Sequence, residues 1–239
     1  MSAEPLPLNA EEAYQDGSYL RQNPDWHAHL SPWKVRQILR MLRRHRISPM
    51  SVVEIGSGAG EVLRLLQSNL DPSCELCGYD IAEHAVQLSL QHANERLRFV
   101  HGGVSDVRDH SFELVLVLDV VEHVEDYRGF LRETRNKGKL KLFHIPLDIS
   151  VQSVLRPAAL RLRRMETFHL HYFTRETALQ TLEDTGYEVV DWFYTPCSVD
   201  LAETWYKRLL NRFRKLCFAI SQDLTVRVLS GYDLMVLAK

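Results

Sequence analysis

The sequence predicts an α/β fold in which helices cover both faces of a mostly parallel sheet. Short apolar runs alternate with helix-periodic stretches between residues 31 and 145, which is the pattern of such a sheet. The 239 residues are 45% hydrophobic, enough for one globular domain with a full core. Lys+Arg 29 against Asp+Glu 31 gives a net charge of -2, so we expect no nucleic-acid partner.

A helix and two strand–helix units open the predicted domain. Ser31 and Pro32 mark the helix start, because serine can cap free amides and proline is tolerated in the first turn. The first strand is predicted at Ser51–Ile55, before a glycine-rich turn and an amphipathic helix. The second strand is predicted at 75–79 and is also followed by a helix.

Three further strands are predicted before residue 146. They are 97–100, Phe112–Leu118 and 139–145, the last directly behind Gly138. Phe112–Leu118 is almost continuously apolar, as expected of a central strand buried on both faces.

Two insertions are predicted in the second half of the chain, at about 147–172 and 196–231. Between them Thr174 begins a helix, and a sixth strand follows at 188–194. A seventh strand at 232–238 completes the sheet.

The N-terminal segment, residues 1–30, is predicted to form a lid before the main domain of residues 31–239. Trp26, His27 and Trp33 are too aromatic for a free tail, so they are assigned to this lid over the acceptor pocket. The first residues lack a basic stretch followed by an apolar one, so no signal peptide is expected and the predicted location is cytoplasmic.

The most informative motif is a strand that runs into Gly56, Gly58 and Gly60 and then into a helix. Glycines at a strand's carboxyl end let the backbone approach a ligand closely. The dinucleotide fingerprint requires glycine or alanine three places after its second glycine. Glu61 and Leu63 occupy that place in the two possible frames, which argues against a dinucleotide.

Carboxylates near this turn indicate a cationic nucleoside ligand. Glu54 would repel a pyrophosphate but suits an ammonium or sulfonium group. Asp80 follows Gly60 by twenty residues, at the end of the second strand, where a carboxylate can accept bonds from ribose hydroxyls. Asp106 and Val107 lie beyond the third strand, where a side-chain acceptor and a backbone donor could bind an adenine edge.

The ordered set of motifs resembles the class I S-adenosylmethionine-dependent methyltransferases. The motifs span residues 53–194 in the order of that superfamily and are EIGSGAG (54–60), GYDI (78–81), DV (106–107), DVVEHV (119–124), HYFT (171–174) and GYEV (186–189).

The resemblance implies a Rossmann-like, seven-stranded sheet with an antiparallel last strand, and S-adenosylmethionine as cofactor. It also implies the cofactor contacts. The glycine turn, with Gly56, Ser57, Gly58 and Gly60, would lie against the methionine moiety, and Glu54 would lie near its amino group. Asp80 with Ile81 would bind the ribose, Asp106 and Val107 the adenine, and Asp119, after the fourth strand, would border the methionine end.

The expected activity is methyl transfer to a small organic or sugar-like acceptor, at oxygen. A sulfonium methyl is already electrophilic, so the protein must chiefly align the acceptor and exclude water. His123 and His144 are the predicted catalytic residues, because His123 follows the fourth strand and His144 lies at the carboxyl end of the fifth, at the edge where the acceptor should bind. His169 and His171 are further candidates. The alternatives are a non-catalytic S-adenosylmethionine-binding scaffold and, less favoured, a nicotinamide oxidoreductase.

Two further sequence features have competing interpretations. Asp119, Glu122 and His123 could hold a divalent metal, but the common form of this motif needs none, so no metal is predicted. The basic amphipathic stretch 205–220 could be a lid helix packed on the domain or could touch a membrane surface, although no transmembrane span is expected. The oligomeric state is left open.

Overall fold

The computed structural model describes residues 28–156, 158–201 and 205–239, and gives only the backbone of 205–208. Its seven strands are β1 Ser51–Ile55, β2 Glu75–Asp80, β3 Leu97–His101, β4 Phe112–Leu118, β5 Gly138–Pro146, β6 Val189–Thr195 and β7 Asp233–Ala238. They form one sheet in the order β3-β2-β1-β4-β5-β7-β6.

Helices connect these strands. Their bounds are α1 Ser31–His45, α2 Glu61–Gln67, α3 Glu83–Ser89, α4 Tyr127–Thr134, α5 Val151–Val154, α6 Ala159–Thr167, α7 Arg175–Asp184, α8 Cys197–Asp200, α9 Trp205–Ile220 and α10 Gln222–Val228.

The sheet is parallel from β1 to β5, and β7 runs antiparallel to both of its neighbours, β5 and β6. This confirms the predicted mostly parallel sheet with an antiparallel last strand. The chain leaves β1 towards β2 and β3 on one side and returns to β4 on the other. Ligands of open α/β sheets bind at such a reversal, outside the carboxyl ends of the strands.

The core has two layers, one on each face of the sheet. Val115 and Val117 of β4 point to the layer that also holds Leu131 of α4 and Leu182 of α7. The alternate residues of β4, among them Leu116, point to the layer beneath α1 and α2. The central strand is therefore buried on both faces, as its unbroken apolar run predicts.

Most predicted element bounds agree with the structure to within one or two residues. Thr174 accepts a hydrogen bond from the Thr177 amide, which confirms it as the cap of α7. The predicted capping role of Ser31 is wrong: Leu30 is the N-cap, no side chain caps this end, and Ser31 is already helical. The two insertions contain α5 with α6, and α8 to α10, respectively.

The lid prediction falls mostly outside the described residues, since Trp26 and His27 precede residue 28. Trp33 is part of α1 and is 2% exposed. Its indole nitrogen donates a hydrogen bond to Asp200 at 3.3 Å, so α1 is tied to the second insertion.

Helix α9 turns an apolar stripe outwards. Asn211 is buried on its inner side and Phe218 packs against the core. The outward side chains are 59–78% exposed and are Leu209, Leu210, Phe213, Leu216 and Ile220. Arg212 and Lys215 of the same helix are exposed as well. A lid helix with a solvated basic face and membrane contact through 205–220 both stay predictions. Across the described ranges, none of the helices is long and apolar enough to span a bilayer.

Candidate functional site

A cavity of about 550 Å³ opens at the carboxyl ends of β1, β2, β4 and β5. Its walls bring together side chains from strand ends, from α1 and from both insertions. The titratable side chains in its lining include Lys34, Glu54, Asp80, Asp119, Glu122, His123, His144, Asp148, His169 and Asp233.

The glycine turn after β1 requires backbone conformations that other residues rarely adopt. Gly56 has φ 77° and Gly60 has φ 78°. A Cβ on Gly56 would lie 2.5 Å from Val120 Cγ2, and one on Gly60 would lie 2.5 Å from the Phe99 ring. The glycines therefore let the turn pack against the ends of neighbouring strands, and the cavity lies beside it.

Asp80 ties this turn to the end of β2. Its Oδ2 accepts a hydrogen bond from the Gly58 amide at 2.7 Å, and its Oδ1 accepts one from the Ala82 amide at 2.9 Å. Burial raises the pKa of Asp80, while the two amide bonds oppose that effect. A carboxylate has about four acceptor positions, so Asp80 can accept further bonds from a ligand in the cavity.

Glu54 is a buried acid with an unused oxygen. Its side chain is 2% exposed, and Oε2 has no hydrogen-bond partner. Burial raises the pKa of Glu54 to about 8, although Lys34 acts in the opposite direction. The group is therefore mostly neutral at pH 7, and a cation bound beside it would favour its ionisation.

Asp119 is the centre of a partly buried charged network. One carboxylate oxygen lies 2.7 Å from Lys34 Nζ and the other 2.5 Å from His144 Nδ1. Burial opposes the ionisation of Asp119, but His144 and Lys34 outweigh it and hold the pKa of Asp119 well below its usual range. The backbone of Asp119 is left-handed, with φ 57°, an uncommon state for a non-glycine residue that is enriched at functional sites.

His144 holds Asp119 from the β5 side. Its Nε2 is 2.9 Å from Thr195 Oγ1 and 3.9 Å from Asp233 Oδ2. Burial opposes protonation of His144, but Asp119 raises its pKa above the usual value. Burial raises the pKa of Asp233 to about 7. His144 lines the cavity at 2% exposure, so it is placed to fix Asp119 rather than to reach far into the open space.

Another part of the cavity lining joins the turn after β4 to the first insertion. Backbone amides of Leu170 and His171 both donate to the Glu122 carbonyl, at 2.7 and 3.1 Å. This brings His169 to the side of His123, with ring centroids 5.0 Å apart. His171 instead contacts the carbonyls of Val124 and Glu125. Burial, together with Asp119, raises the pKa of Glu122 well above its usual value.

The predicted adenine contacts lie apart from the cavity lining. Asp106 is exposed and accepts a hydrogen bond from the Gly103 amide at 2.8 Å. The Val107 side chain is 1% exposed and packs in the core. Ile81 and Ser57 do line the cavity. The assignment of Asp106 and Val107 to adenine therefore stays a prediction.

Sequence reasoning missed Lys34, Asp148 and Asp233. The only signal for Lys34 is its spacing: it lies four and seven residues before Ile38 and Met41, which are fully buried, and so shares the apolar face of α1. Asp148 lies at the start of the first insertion and Asp233 at the start of β7, where an acid carries no pattern of its own.

Comparisons with known proteins agree with this architecture. A family model described as a methyltransferase domain matches residues 26–191. No curated protein matches the chain significantly in sequence.

Solved structures with a similar fold include three methyltransferases. One comes from the complex between the Haloferax volcanii Trm112 methyltransferase activator and a methyltransferase, with 15% identity, TM-score 0.62 and 96% of each chain covered. The plantazolicin methyltransferase BpumL, in complex with a monoazolic desmethylPZN analog and SAH, has 15% identity and TM-score 0.62, over 96% of this chain and 92% of that one. Magnesium protoporphyrin IX methyltransferase from Synechocystis PCC 6803, with bound SAH, has 13% identity and TM-score 0.56, over 89% and 84%. At these low sequence identities, the similarity shows a shared fold.

Proposed function

The chain belongs to the methyltransferase-domain family and is an S-adenosylmethionine-dependent methyltransferase; from this premise we propose that it methylates an oxygen of a small organic or sugar-like acceptor. The observation that carries the proposal is the convergence of Glu54, Asp80 and Asp119 around one cavity. The lining of that cavity contains these acids, which suit a cationic nucleoside, and also histidines, arginines and hydroxyls.

The residues around the glycine turn fit the cofactor. The unpartnered Oε2 of Glu54 matches an ammonium group, and Asp80 keeps acceptor positions for ribose hydroxyls. Asp119 is held rigidly by Lys34 and His144 at the proposed methionine end. When bound, S-adenosylmethionine supplies an electrophilic methyl group on its sulfonium sulfur.

The remaining task of the protein is to hold an acceptor oxygen in line with that methyl and to exclude water. In favourable cases such alignment lowers the activation free energy by about 7 to 11 kcal/mol. The proposed acceptor wall includes His123, Ser153, Arg156, Arg163 and Thr167. These groups suit a hydroxyl-rich acceptor, and an oxygen of high pKa needs an activating group such as the proposed catalytic His123. We assign His144 a positioning role through Asp119.

The acceptor class is tested by transfer of a labelled methyl group from S-adenosylmethionine into a cell extract, followed by identification of the labelled product. A methylated oxygen on a small metabolite is the expected outcome. A labelled protein or nucleic acid would contradict the proposed acceptor. Cofactor binding with no labelled product across a broad acceptor panel would favour the non-catalytic scaffold instead.

The Asp80→Ala substitution is expected to weaken S-adenosylmethionine binding by about 1.5 to 3 kcal/mol, because it removes charge-assisted bonds to the ribose. Isothermal titration calorimetry measures the change, and circular dichroism confirms the fold. Asp184→Ala, at an exposed surface pair with Arg128, is the matched control and should leave affinity unchanged. Unchanged affinity in a folded Asp80→Ala variant would contradict the ribose assignment.

The affinity for S-adenosylmethionine is also expected to depend on pH through Glu54. Because the pKa of Glu54 is raised to about 8, an ammonium group binds best once this carboxyl loses its proton. Affinity should therefore rise towards pH 8, by at most about tenfold per pH unit. It should fall again at higher pH, since an α-amino group itself loses its proton near pH 8.

Titrations of the wild type and of Glu54→Gln between pH 6 and pH 9 check this expectation. The glutamine variant should bind more weakly and lose the acid-side slope, whereas Asp80→Ala should bind more weakly but keep it. Equal slopes in the wild type and Glu54→Gln would show that Glu54 does not contact the ammonium group.

A further inference from the structure

The cavity lining contains two histidines and a carboxylate close together. Glu122, His123 and His169 each offer one ligand atom, and these atoms lie within 4.8 Å of one another. All three residues line the cavity. Asp119, which the sequence suggested as a third ligand, is instead engaged by Lys34 and His144.

The environment of the Glu122 carboxylate distinguishes this cluster. Its side chain is completely buried, and neither carboxylate oxygen has a hydrogen-bond partner. Burying a carboxylate without a partner is costly, and such groups are normally paired or coordinate a metal. His123 Nε2 is 3.8 Å from Glu122 Oε1, too far for a hydrogen bond but suitable for an ion between them.

The surroundings fix the two imidazoles in the tautomer that a metal requires. His123 Nδ1 lies 3.2 Å from the Phe168 carbonyl, which can only accept, so Nδ1 carries the proton and Nε2 the lone pair. His169 Nδ1 lies 2.6 Å from Asp148 Oδ2, which imposes the same tautomer. Asp148 is itself held by Arg163, whose Nε is 3.2 Å from Oδ1. A carboxylate or carbonyl behind each ligating histidine is the usual support of a metal site.

The geometry points to a divalent transition-metal site formed by Glu122, His123 and His169, with Asp148 and the Phe168 carbonyl as its supporting groups. Two imidazoles and one carboxylate favour zinc, iron, manganese or cobalt over magnesium or calcium, which prefer all-oxygen ligands. Three protein ligands leave at least one position open towards the cavity.

The role of this ion deepens the proposed function and rests on it. An acceptor hydroxyl at the open position would lose its proton to water more readily, because the ion stabilises the oxyanion. An oxygen lone pair then forms the new C–O bond. The C–S bond of the cofactor breaks, and its electron pair stays on sulfur.

Cobalt(II) titration of the metal-free full-length protein tests the site directly, because a protein-bound cobalt ion absorbs visible light. One equivalent should bind to the wild type and be displaced by zinc. Glu122→Gln and His169→Gln should abolish this binding. Asp148→Asn should weaken it by about 10- to 100-fold, the usual effect of a supporting residue. His171→Gln, from the same segment but outside the cluster, is the matched control and should bind as the wild type does.

If the folded wild type does not bind cobalt stoichiometrically, the proposed metal site is wrong, and no variant is needed to show it. Equal binding by the wild type, Glu122→Gln and His169→Gln would also overturn it, by placing the ion elsewhere. S-adenosylmethionine binding is measured on the same samples. Cofactor binding without cobalt binding rejects the metal site alone, whereas loss of both in the wild type rejects the proposed function as well.

Discussion

An Asp119→Asn substitution is expected to lower the free energy of unfolding by about 2 to 3 kcal/mol, at or just below the range for breaking a fully buried ion pair, because 26% of the Asp119 side chain is exposed. Lys34 and His144 both depend on this carboxylate, and their side chains are 14% and 2% exposed. Neutralising Asp119 leaves the partly buried Lys34 charge without this ion pair, although Glu54 still lies nearby. Chemical denaturation followed by circular dichroism measures the change.

Asp184→Asn is the control for this experiment. Asp184 forms an ion pair with Arg128 at the surface, with about 40% of each side chain exposed. Exposed pairs contribute at most about 1 kcal/mol, so this variant should unfold nearly as the wild type does. Similar losses in both variants would show that the environment of Asp119 is not special.

A His123→Ala substitution is expected to lower turnover by about 10² or more, the usual range for losing a general base, while cofactor affinity changes little. The reason is that His123 lines the cavity but is not among the residues assigned to the cofactor. Loss of a metal ligand would have the same result. Single-turnover methyl transfer and calorimetry on the same preparation separate turnover from affinity.

His92→Ala is a suitable comparison, because His92 is paired with Glu61 and is not among the residues that line the cavity. It should keep normal turnover. If His123→Ala is less stable yet has normal specific activity, His123 is a packing residue and the assignment to the acceptor wall fails.

Sequence reasoning succeeds where a residue's place follows from a strand end. Glu54, Asp80 and Asp119 were found because each lies within or directly after a strand, and parallel strands bring these ends to one edge. All three line the cavity. The alternation of apolar runs likewise placed every strand, because burial on both faces leaves a strong local pattern.

The rest of the site depends on tertiary packing that no local pattern encodes. Lys34 reaches Asp119 only because α1 docks beside the sheet, and His169 meets His123 only because the first insertion folds back onto the Glu122 carbonyl. Val107 was assigned to adenine through its backbone amide, and that assignment stays a prediction, while its side chain packs in the core. The contacts of a loop side chain are set by the elements around it.

The position of β7 has a consequence for the order in which the protein can fold. Strand β6 pairs with β7, while β7 is the strand that pairs with β5. During synthesis β6 therefore leaves the ribosome well before the strand that attaches it to the sheet, with residues 196–232 in between. Until β7 arrives, the nascent chain exposes the backbone edge of β5 and has no place for β6, so this interval is the one in which the chain most needs protection from aggregation.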